Sequence, residues 1–248
     1  DLPWLASVLK SVEVCFHLAA EVSLRGGKEL WRNNLQGTRA LIEALPKARL
    51  RRLILASTMG AVDRAPSDRC EVPMNEDTAP HPLSSYGRSK LAAEEAIRGS
   101  GLPHTILRVP WVFGHGMRPT THVRSLSHGV CTGSPYAFVD FPGKVSVMPV
   151  SDVARAFVFA AQCSAATNET YFLSDGVPVS LGRLFGRIGN LAGKRAGFLK
   201  PPRQVKAAFR RARSWLPLMV QNLHSDVLTV DPSRFLNLGF SSRTPGRD

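Results

Sequence analysis

A tyrosine and a lysine four residues apart are the residues of this sequence whose types and spacing could do chemistry. They are Tyr86 and Lys90, within the stretch SSYGRSKLAAEE at residues 84–95. On a helix, positions i and i+4 share one face, and a cation within about 4 to 6 Å of a phenol favours the phenolate. The pair is therefore either a general base with its electrostatic partner or two polar residues on a solvated helix face.

The cysteines and histidines do not form a metal-binding pattern. Cys15, Cys70, Cys131 and Cys163 are far apart, with no Cys-x-x-Cys or Cys/His spacing of the kind that binds zinc. We therefore expect no metal site.

Strand-like and helix-like segments alternate along the first part of the chain. The strand-like runs are residues 13–19, 50–58 and 104–109, and the helical ones are residues 30–45 and 82–98. This alternation is typical of a parallel sheet flanked by helices. It predicts an α/β fold with four parallel strands in sequence-adjacent order, and the ends of the first two should open onto one crevice.

From about Trp111 the sequence becomes richer in glycine, proline and serine, which indicates a smaller, irregular lobe. Its short strands are expected at residues 136–141, 145–150 and 170–174, and its helices at residues 151–162, 181–192 and 205–216. A further short helix should end at Gly239, because glycine commonly follows the last helical residue.

The bulk composition excludes several classes of function. Hydrophobic residues make up 44% of the 248 residues, and no apolar run approaches the roughly 20 residues of a membrane-spanning helix. Without a signal-like N-terminus, we expect a cytoplasmic protein with no membrane partner. The formal net charge of +13 raises the possibility of nucleic-acid binding, but the basic runs lack interleaved aromatic residues. We therefore expect no nucleic-acid partner and assign the charge to solvated surface that attracts anionic ligands.

Taken in order, the motifs resemble the extended short-chain dehydrogenase/reductase superfamily, specifically its NAD-dependent epimerase/dehydratase group. FHLAA resembles that family's fourth strand and cofactor loop, NNLQGT its Asn-x-x-Gly-Thr helix, and LILASTMGAV the strand that bears a catalytic Ser or Thr. YGRSK resembles its Tyr-x-x-x-Lys motif, and ILRVPWVFGHGMR, MPVSDVARAF and LGF resemble its later elements. The similarity covers nearly the whole chain.

The resemblance implies a catalytic set. Tyr86 would be the base, Lys90 would favour the phenolate and bind the nicotinamide ribose, and Thr58 would bind the substrate oxygen. Ser57 is the alternative to Thr58. Three residues separate Thr58 from the next valine, as in the dihydroflavonol and cinnamoyl-CoA reductase branch, which favours Thr58. Asp63 departs from the family, which has a tyrosine or a small residue there.

The resemblance also implies a binding site for NAD or NADP, without choosing between them. Its residues would be Asp1, Leu2, Leu18, Ala19, Ala20, Asn34, Tyr86, Lys90, Val109 and Pro110. The resemblance places His17 in the strand before the cofactor loop, which favours a packed, hydrogen-bonded side chain over a metal ligand or proton relay. His115 and His122, near Arg118, lie in a loop that borders the substrate in the family.

A dinucleotide-binding domain should open with a strand and a glycine-rich turn that approaches the pyrophosphate, and this sequence begins without them. We therefore expect an N-terminal truncation of about two βα units, with residues 13–19 left as an exposed edge strand. On this expectation the chain alone would bind NAD(P) poorly and turn over nothing.

The resulting interpretation is a Rossmann-like partial NAD(P)-binding domain at residues 1–110. Residues 111–248 would be mainly a substrate-binding lobe, with some segments returning to the sheet. The implied function is that of an NAD(P)-dependent oxidoreductase or epimerase acting on a hydroxyl or ketone carbon of a sugar nucleotide or similar small molecule. The expected partners are this substrate and a second copy of the chain in a homodimer. The alternatives are a dihydroflavonol-reductase-like ketone reductase and a non-catalytic NAD(P)-binding regulatory protein. The choice between reductase, epimerase and dehydratase stays open.

Overall fold

The computed structural model describes residues 2–22, 27–64, 72–117, 122–133, 143–193, 204 and 228–243. The strands within these ranges are β1 (Val14–His17), β2 (Arg52–Thr58), β3 (His104–Val109), β4 (Trp111–Phe113), β5 (Lys144–Val145), β6 (Val147–Pro149), β7 (Glu169–Phe172) and β8 (Val179–Ser180). The α-helices are α1 (Leu2–Leu9), α2 (Lys28–Trp31), α3 (Gly37–Ala44), α4 (Ser85–Arg98), α5 (His122–Thr132), α6 (Val150–Gln162), α7 (Leu181–Leu191) and α8 (Ser233–Leu236).

The main sheet has four parallel strands in the order β1-β2-β3-β7. Most residues of β2 and β3 are buried, including the apolar runs Leu53–Leu55 and Ile106–Leu107 at their centres, as is usual for strands of a parallel sheet covered on both faces. The predicted α/β class and the order of four parallel strands are confirmed. Among the described strands only β2 pairs with β1, so β1 forms an edge of this sheet, as expected.

Helices cover both faces of the sheet because side chains alternate along each strand. Leu53 and Leu55 pack in one core cluster with residues of α3 and α4. Ile54 faces the opposite way and packs in a second cluster with residues of α6, β7 and α8. The sheet is thus the middle layer of three.

The later part of the chain forms a third core cluster beyond β3, which includes Leu126, Val145 and Phe185. Two small sheets lie here, a parallel pair of β4 and β6 and an antiparallel pair of β5 and β8. Segment 228–230 joins this region through bridges from Leu228 and Val230. Strand β7 returns to the main sheet, so the chain crosses between the two regions more than once.

Most predicted elements occur within a few residues of their expected bounds. The first strand is shorter than expected, and the predicted helix at residues 30–45 begins at Lys28 and contains a π-helical segment at Arg32–Gln36. The run expected as a strand at 145–150 divides into β5 and β6, and Val150 already begins α6. The predicted strand at 136–141 and helix at 205–216 lie outside the described residues. None of the described helices is long and apolar enough to span a bilayer.

Candidate active site

The carboxyl ends of the parallel strands meet at one edge of the sheet. β1 ends at His17, which pairs with Leu55, and β2 ends at Thr58, which pairs with Val109 at the end of β3. Ligands of open α/β sheets bind at this edge. Residues predicted from the sequence to be functional therefore lie at three neighbouring strand ends.

Helix α4 brings Tyr86 and Lys90 to the β2 end of this edge. The Ser84 hydroxyl caps the helix by accepting a hydrogen bond of 2.9 Å from the Gly87 N–H, which is the usual role of serine at this position. The helix then runs unbroken to Arg98. Tyr86 lies in its first turn and Lys90 one turn later, so the sequence-predicted spacing is realised on a helix.

A close approach between Gly87 and the turn after β2 fixes the position of α4. A Cβ atom on Gly87 would lie 2.1 Å from the Gly60 carbonyl oxygen, so only glycine fits there. Close by, the His81 N–H donates to the Val62 carbonyl at 2.6 Å. Gly87 follows Tyr86, and Gly60 is two residues after Thr58. The contact therefore brings the backbone next to Tyr86 close to the backbone that follows Thr58.

The two adjacent hydroxyls of β2 differ sharply in their surroundings. Ser57 is buried, and its hydroxyl donates to Glu94 Oε1 at 2.5 Å. Thr58 is half-buried, and its Oγ1 accepts from the Gly60 N–H at 3.2 Å, capping the short 3₁₀ turn Met59–Ala61. The Thr58 hydroxyl donates no hydrogen bond to any other described residue, and this supports Thr58 over Ser57 as the substrate-facing hydroxyl.

Burial dominates the acid–base properties of Tyr86. It raises the pKa of the Tyr86 phenol to about 12, above its ordinary value, because an apolar environment disfavours the phenolate. The direction is opposite to the one expected from pairing with Lys90. In this state the phenol is protonated at neutral pH.

Lys90 is a buried cation. Its side chain is 1% exposed, and burial lowers the pKa of the ammonium to about 8, while the nearby Glu94 carboxylate raises it. Within the described ranges, no side-chain hydrogen bond or ion pair joins Lys90 to another residue. A buried ammonium normally has partners, and the charge that acts on Lys90 here is the Glu94 carboxylate, four residues further along α4.

His17 is packed and hydrogen-bonded, as predicted. The Thr38 hydroxyl donates its proton to the Asn34 carbonyl at 2.6 Å, so at the 2.8 Å contact His17 Nε2 must be the donor to Thr38 Oγ1. Burial, and then the Lys90 charge, lower the pKa of His17 to about 4. The described residues contain no cluster of His, Cys, Asp or Glu that could hold a metal ion.

Asn34 contacts protein groups in this structure. Its Oδ1 accepts from the Glu21 N–H at 2.7 Å, and its Nδ2 donates to the Glu21 carbonyl and to Ser89 Oγ. The π-helical segment that contains Asn34 is a feature often found at functional sites. Asn34 thereby ties the loop after β1 to α4, while its assignment to the cofactor stays a prediction.

The other predicted cofactor residues are placed as follows. Leu18, which is 61% exposed, and Ala19 and Ala20 follow β1 directly, and Val109 and Pro110 lie at the end of β3. Leu2 begins α1, whereas Asp1 lies outside the described residues. Of the loop candidates, His115 is exposed, and Arg118 and the His122 side chain fall outside the described parts.

Sequence reasoning missed one acidic side chain near this edge. Glu94 is fully buried and binds Ser57, Arg98 and Arg108. Its spacing of four from Lys90 on one helix was the signal that could have revealed it.

Asp63 has φ 47, a backbone conformation uncommon for non-glycine residues. It accepts a hydrogen bond from the Arg64 N–H at 3.0 Å, and burial raises the pKa of its carboxyl.

The sequence is similar to a known protein family and to individual proteins of known or provisional name. Residues 1–173 match the model of the NAD dependent epimerase/dehydratase family. A provisionally named UDP-glucose 4-epimerase of Methanocaldococcus jannaschii is 30% identical over 198 residues, covering 75% of this chain and 63% of the relative. Sterol demethylase protein B of Methylococcus capsulatus is 30% identical over 217 residues, covering 82% of this chain and 62% of its own length. The chain thus spans somewhat less than two thirds of each relative.

Among solved structures, MoeE5 in complex with UDP-glucose and NAD superposes with a TM-score of 0.75 and 25% sequence identity. The match covers 100% of this chain and 80% of MoeE5. The described parallel sheet and its flanking helices therefore have the architecture of a solved nucleotide-sugar-binding protein.

Proposed function

Because the chain belongs to the NAD dependent epimerase/dehydratase family, we propose that it serves hydride transfer between NAD(P) and a hydroxyl or ketone carbon of a nucleotide sugar or similar substrate. The observation that carries the proposal is the buried Lys90 ammonium, one helical turn after Tyr86 at the edge where the parallel strands end. Residues 1–110 would contribute to cofactor binding, and residues 111–248 would supply most of the substrate lobe.

The residues present fit a dinucleotide cofactor of either kind. Lys90 offers a buried donor to a ribose hydroxyl. The strand-end residues predicted to line the cofactor are Leu18, Ala19, Ala20, Val109 and Pro110, and Asp1, Leu2, Asn34 and Tyr86 complete the proposed set. When bound, NAD(P) would supply the hydride acceptor or donor.

Tyr86 would move the proton that accompanies hydride transfer. When a ketone is reduced, the protonated phenol donates to the developing alkoxide, and in the reverse direction the phenolate takes the proton from the carbinol hydroxyl. Thr58 would orient that substrate oxygen through its hydroxyl. A charged Lys90 favours the phenolate, so it opposes the effect of burial on Tyr86 during the oxidative direction.

A ketone reductase is the second candidate. The observation in its favour is the turn after β2, where Met59–Ala61 forms a 3₁₀ helix between Thr58 and Val62, the three-residue spacing that resembles the dihydroflavonol reductase branch. A reductase would consume NADPH or NADH with a ketone and release the alcohol. An epimerase would instead interconvert two sugars with no net change in cofactor.

The test is kinetic, with the protein expressed from its complete coding sequence. Tyr86→Phe should lower turnover roughly 100-fold or more, because the proton donor is removed, while cofactor affinity changes little. Tyr171→Phe is the matched control, since it removes a phenol whose hydroxyl makes one 3.3 Å hydrogen bond to the Ala165 carbonyl.

Lys90→Ala should damage both turnover and cofactor affinity, because Lys90 would serve both the phenol and the ribose. Lys47→Ala removes an exposed lysine as its control. Near-normal turnover of Tyr86→Phe with UDP-glucose and with ketone substrates would refute the proposal. Cofactor binding without turnover by the unsubstituted protein would point to a regulatory role.

A further inference from the structure

We propose that Glu94 is a positioning residue for this site: its buried carboxylate clamps α4 to β2 and β3 and maintains the positive charge of Lys90 one helical turn away. The inference rests on the proposed function, because the charge of Lys90 matters only if Lys90 serves the reaction. It adds a residue that no motif of the sequence assigned.

The carboxylate of Glu94 joins three elements. Its Oε1 accepts from Ser57 Oγ at 2.5 Å and from Arg108 Nε at 3.2 Å. Its Oε2 accepts from Arg108 Nη2 at 2.9 Å and from Arg98 Nη2 at 2.8 Å. Ser57 lies on β2, Arg108 on β3 and Arg98 on α4 itself. A buried carboxylate with this many charge-assisted donors fixes the relative placement of the elements that carry them.

This clamp acts on the catalytic candidates through the backbone. Ser57 immediately precedes Thr58, and successive side chains of a strand point to opposite faces. Holding the Ser57 side chain against α4 therefore fixes the direction in which Thr58 points. On α4, Glu94 and Lys90 are four residues apart and share one face of the helix.

Electrostatics give Glu94 a second role. The groups that act on or lie beside Lys90 are the Glu94 carboxylate, the Tyr86 phenol one turn earlier on α4, and His17 on β1, whose pKa the Lys90 charge helps to lower. Two arginines, Arg98 and Arg108, share the same carboxylate. Among described residues, Glu94 is the acidic group that acts on Lys90. Burial lowers the pKa of the ammonium, the Glu94 charge partly offsets that effect, and the resulting pKa is about 8.

Removing the negative charge of Glu94 should therefore make Lys90 lose its proton at lower pH. Glu94→Gln keeps the size of the side chain and an oxygen acceptor. We expect the Lys90 titration midpoint to fall by about one pH unit or more, the effect of losing a close opposite charge. The measurement is a ¹⁵N NMR titration of lysine Nζ groups in the cofactor-free protein, with the Lys90 signal identified by its loss in Lys90→Met.

Glu95→Gln is the matched control. Glu95 is the next residue on the same helix and is exposed, so the substitution changes the net charge equally. Its removal should leave the Lys90 midpoint within about 0.3 pH units, because exposed charges are screened by solvent.

A second variant makes the inference independent of whether Glu94→Gln folds. Arg98 is partly exposed and binds Glu94 from the helix side. Arg98→Gln removes a cation that pairs with the Glu94 carboxylate and leaves that carboxylate in place, so more of its negative charge acts on Lys90 and the Lys90 midpoint should rise. A midpoint unmoved or lowered in Arg98→Gln, or unmoved in Glu94→Gln, would overturn the inference.

The same variants separate this inference from the proposed function. If Lys90 serves the reaction, the basic limb of the pH–kcat profile should move down in Glu94→Gln by the amount measured by NMR. If the midpoint moves as expected while Lys90→Ala retains full turnover, the electrostatic coupling stands and the proposed function fails. A purely structural Glu94 would lower stability without moving the Lys90 midpoint, and that result overturns the inference.

Discussion

His17 shows how one buried side chain links the sheet to the candidate site. It ends β1, donates to Thr38, and lies close enough to Lys90 for the lysine charge to affect its titration. Burial and that charge both disfavour the imidazolium, so the pKa of His17 falls to about 4. Because His17 is neutral, it adds no second buried positive charge beside Lys90.

The depressed pKa of His17 predicts a specific loss of stability in acid. An unfolded histidine takes up its proton near pH 6.5, whereas folded His17 does so only near pH 4. Stability from this group is thus fully present above pH 6.5 and is lost as pH falls toward 4. Between pH 7 and 5 the wild-type protein should lose about 1 to 2 kcal/mol more unfolding free energy than His17→Gln.

Urea unfolding at the two pH values measures this difference directly. The glutamine amide can donate to Thr38 Oγ1 as the imidazole does, so the comparison isolates the titration. Parallel stability profiles for the two proteins would show that His17 is not the group responsible.

At the scale of elements, the contact between α4 and the turn after β2 decides the geometry of the site. Gly87 and Gly60 meet without a side chain between them, and the His81 N–H donates to the Val62 carbonyl just before the helix cap. The Glu94 clamp secures the same helix further along. Tyr86 and Lys90 lie between these two attachments.

Gly87→Ala should therefore displace α4. The new Cβ would lie 2.1 Å from the Gly60 oxygen, and both groups belong to backbone that cannot simply rotate away. We expect a loss of about 1 to 3 kcal/mol in unfolding free energy, as for other overpacked sites, together with a fall in turnover. Thermal unfolding and kinetics of the variant measure both effects.

Gly99→Ala provides the control on the same helix. Gly99 has φ −74, and its nearest contact for a Cβ is the Glu95 oxygen at 3.4 Å. This substitution should be neutral or stabilising by about 0.4 to 1 kcal/mol. Equal behaviour of the two alanine variants would contradict the role assigned to the Gly87 contact.

At the scale of the whole molecule, the late segments are built into the early sheet. β7 pairs with β3, and the rings of Phe159, Tyr171, Phe235 and Phe240 pack together beside that sheet. Arg234 on α8 also pairs with Glu169 of β7. We expect the described parts of residues 1–110 and 111–243 to unfold together.

Phe235→Ala tests this cooperativity. Phe235 is 1% exposed, and truncating a buried phenylalanine costs about 3 to 5 kcal/mol. In one cooperative unit, the amides of β2 and β3 should lose hydrogen-exchange protection together with those of α8. Leu191→Ala, at a side chain that is 90% exposed, should change neither. Faster exchange confined to α8 would show that this segment unfolds separately.

The sequence alone determined the order of strands and helices, the fold class, and the placement of Tyr86 and Lys90 one turn apart on a helix. These follow from local periodicity and short-range signals, which act within a few residues. The tertiary structure decided which of Ser57 and Thr58 is engaged inside the protein, because the Ser57 partner, Glu94, lies 37 residues away.

Tertiary structure also decided the protonation of the candidate pair. The spacing of Tyr86 and Lys90 predicts a lowered phenol pKa, but burial raises it to about 12 and lowers that of Lys90 to about 8. Desolvation depends on every element packed around a group, and the elements packed against α4 include α3, β2, β3 and the turn after β2. Helical spacing brings two side chains to one face, whereas long-range packing determines how strongly each one holds its proton.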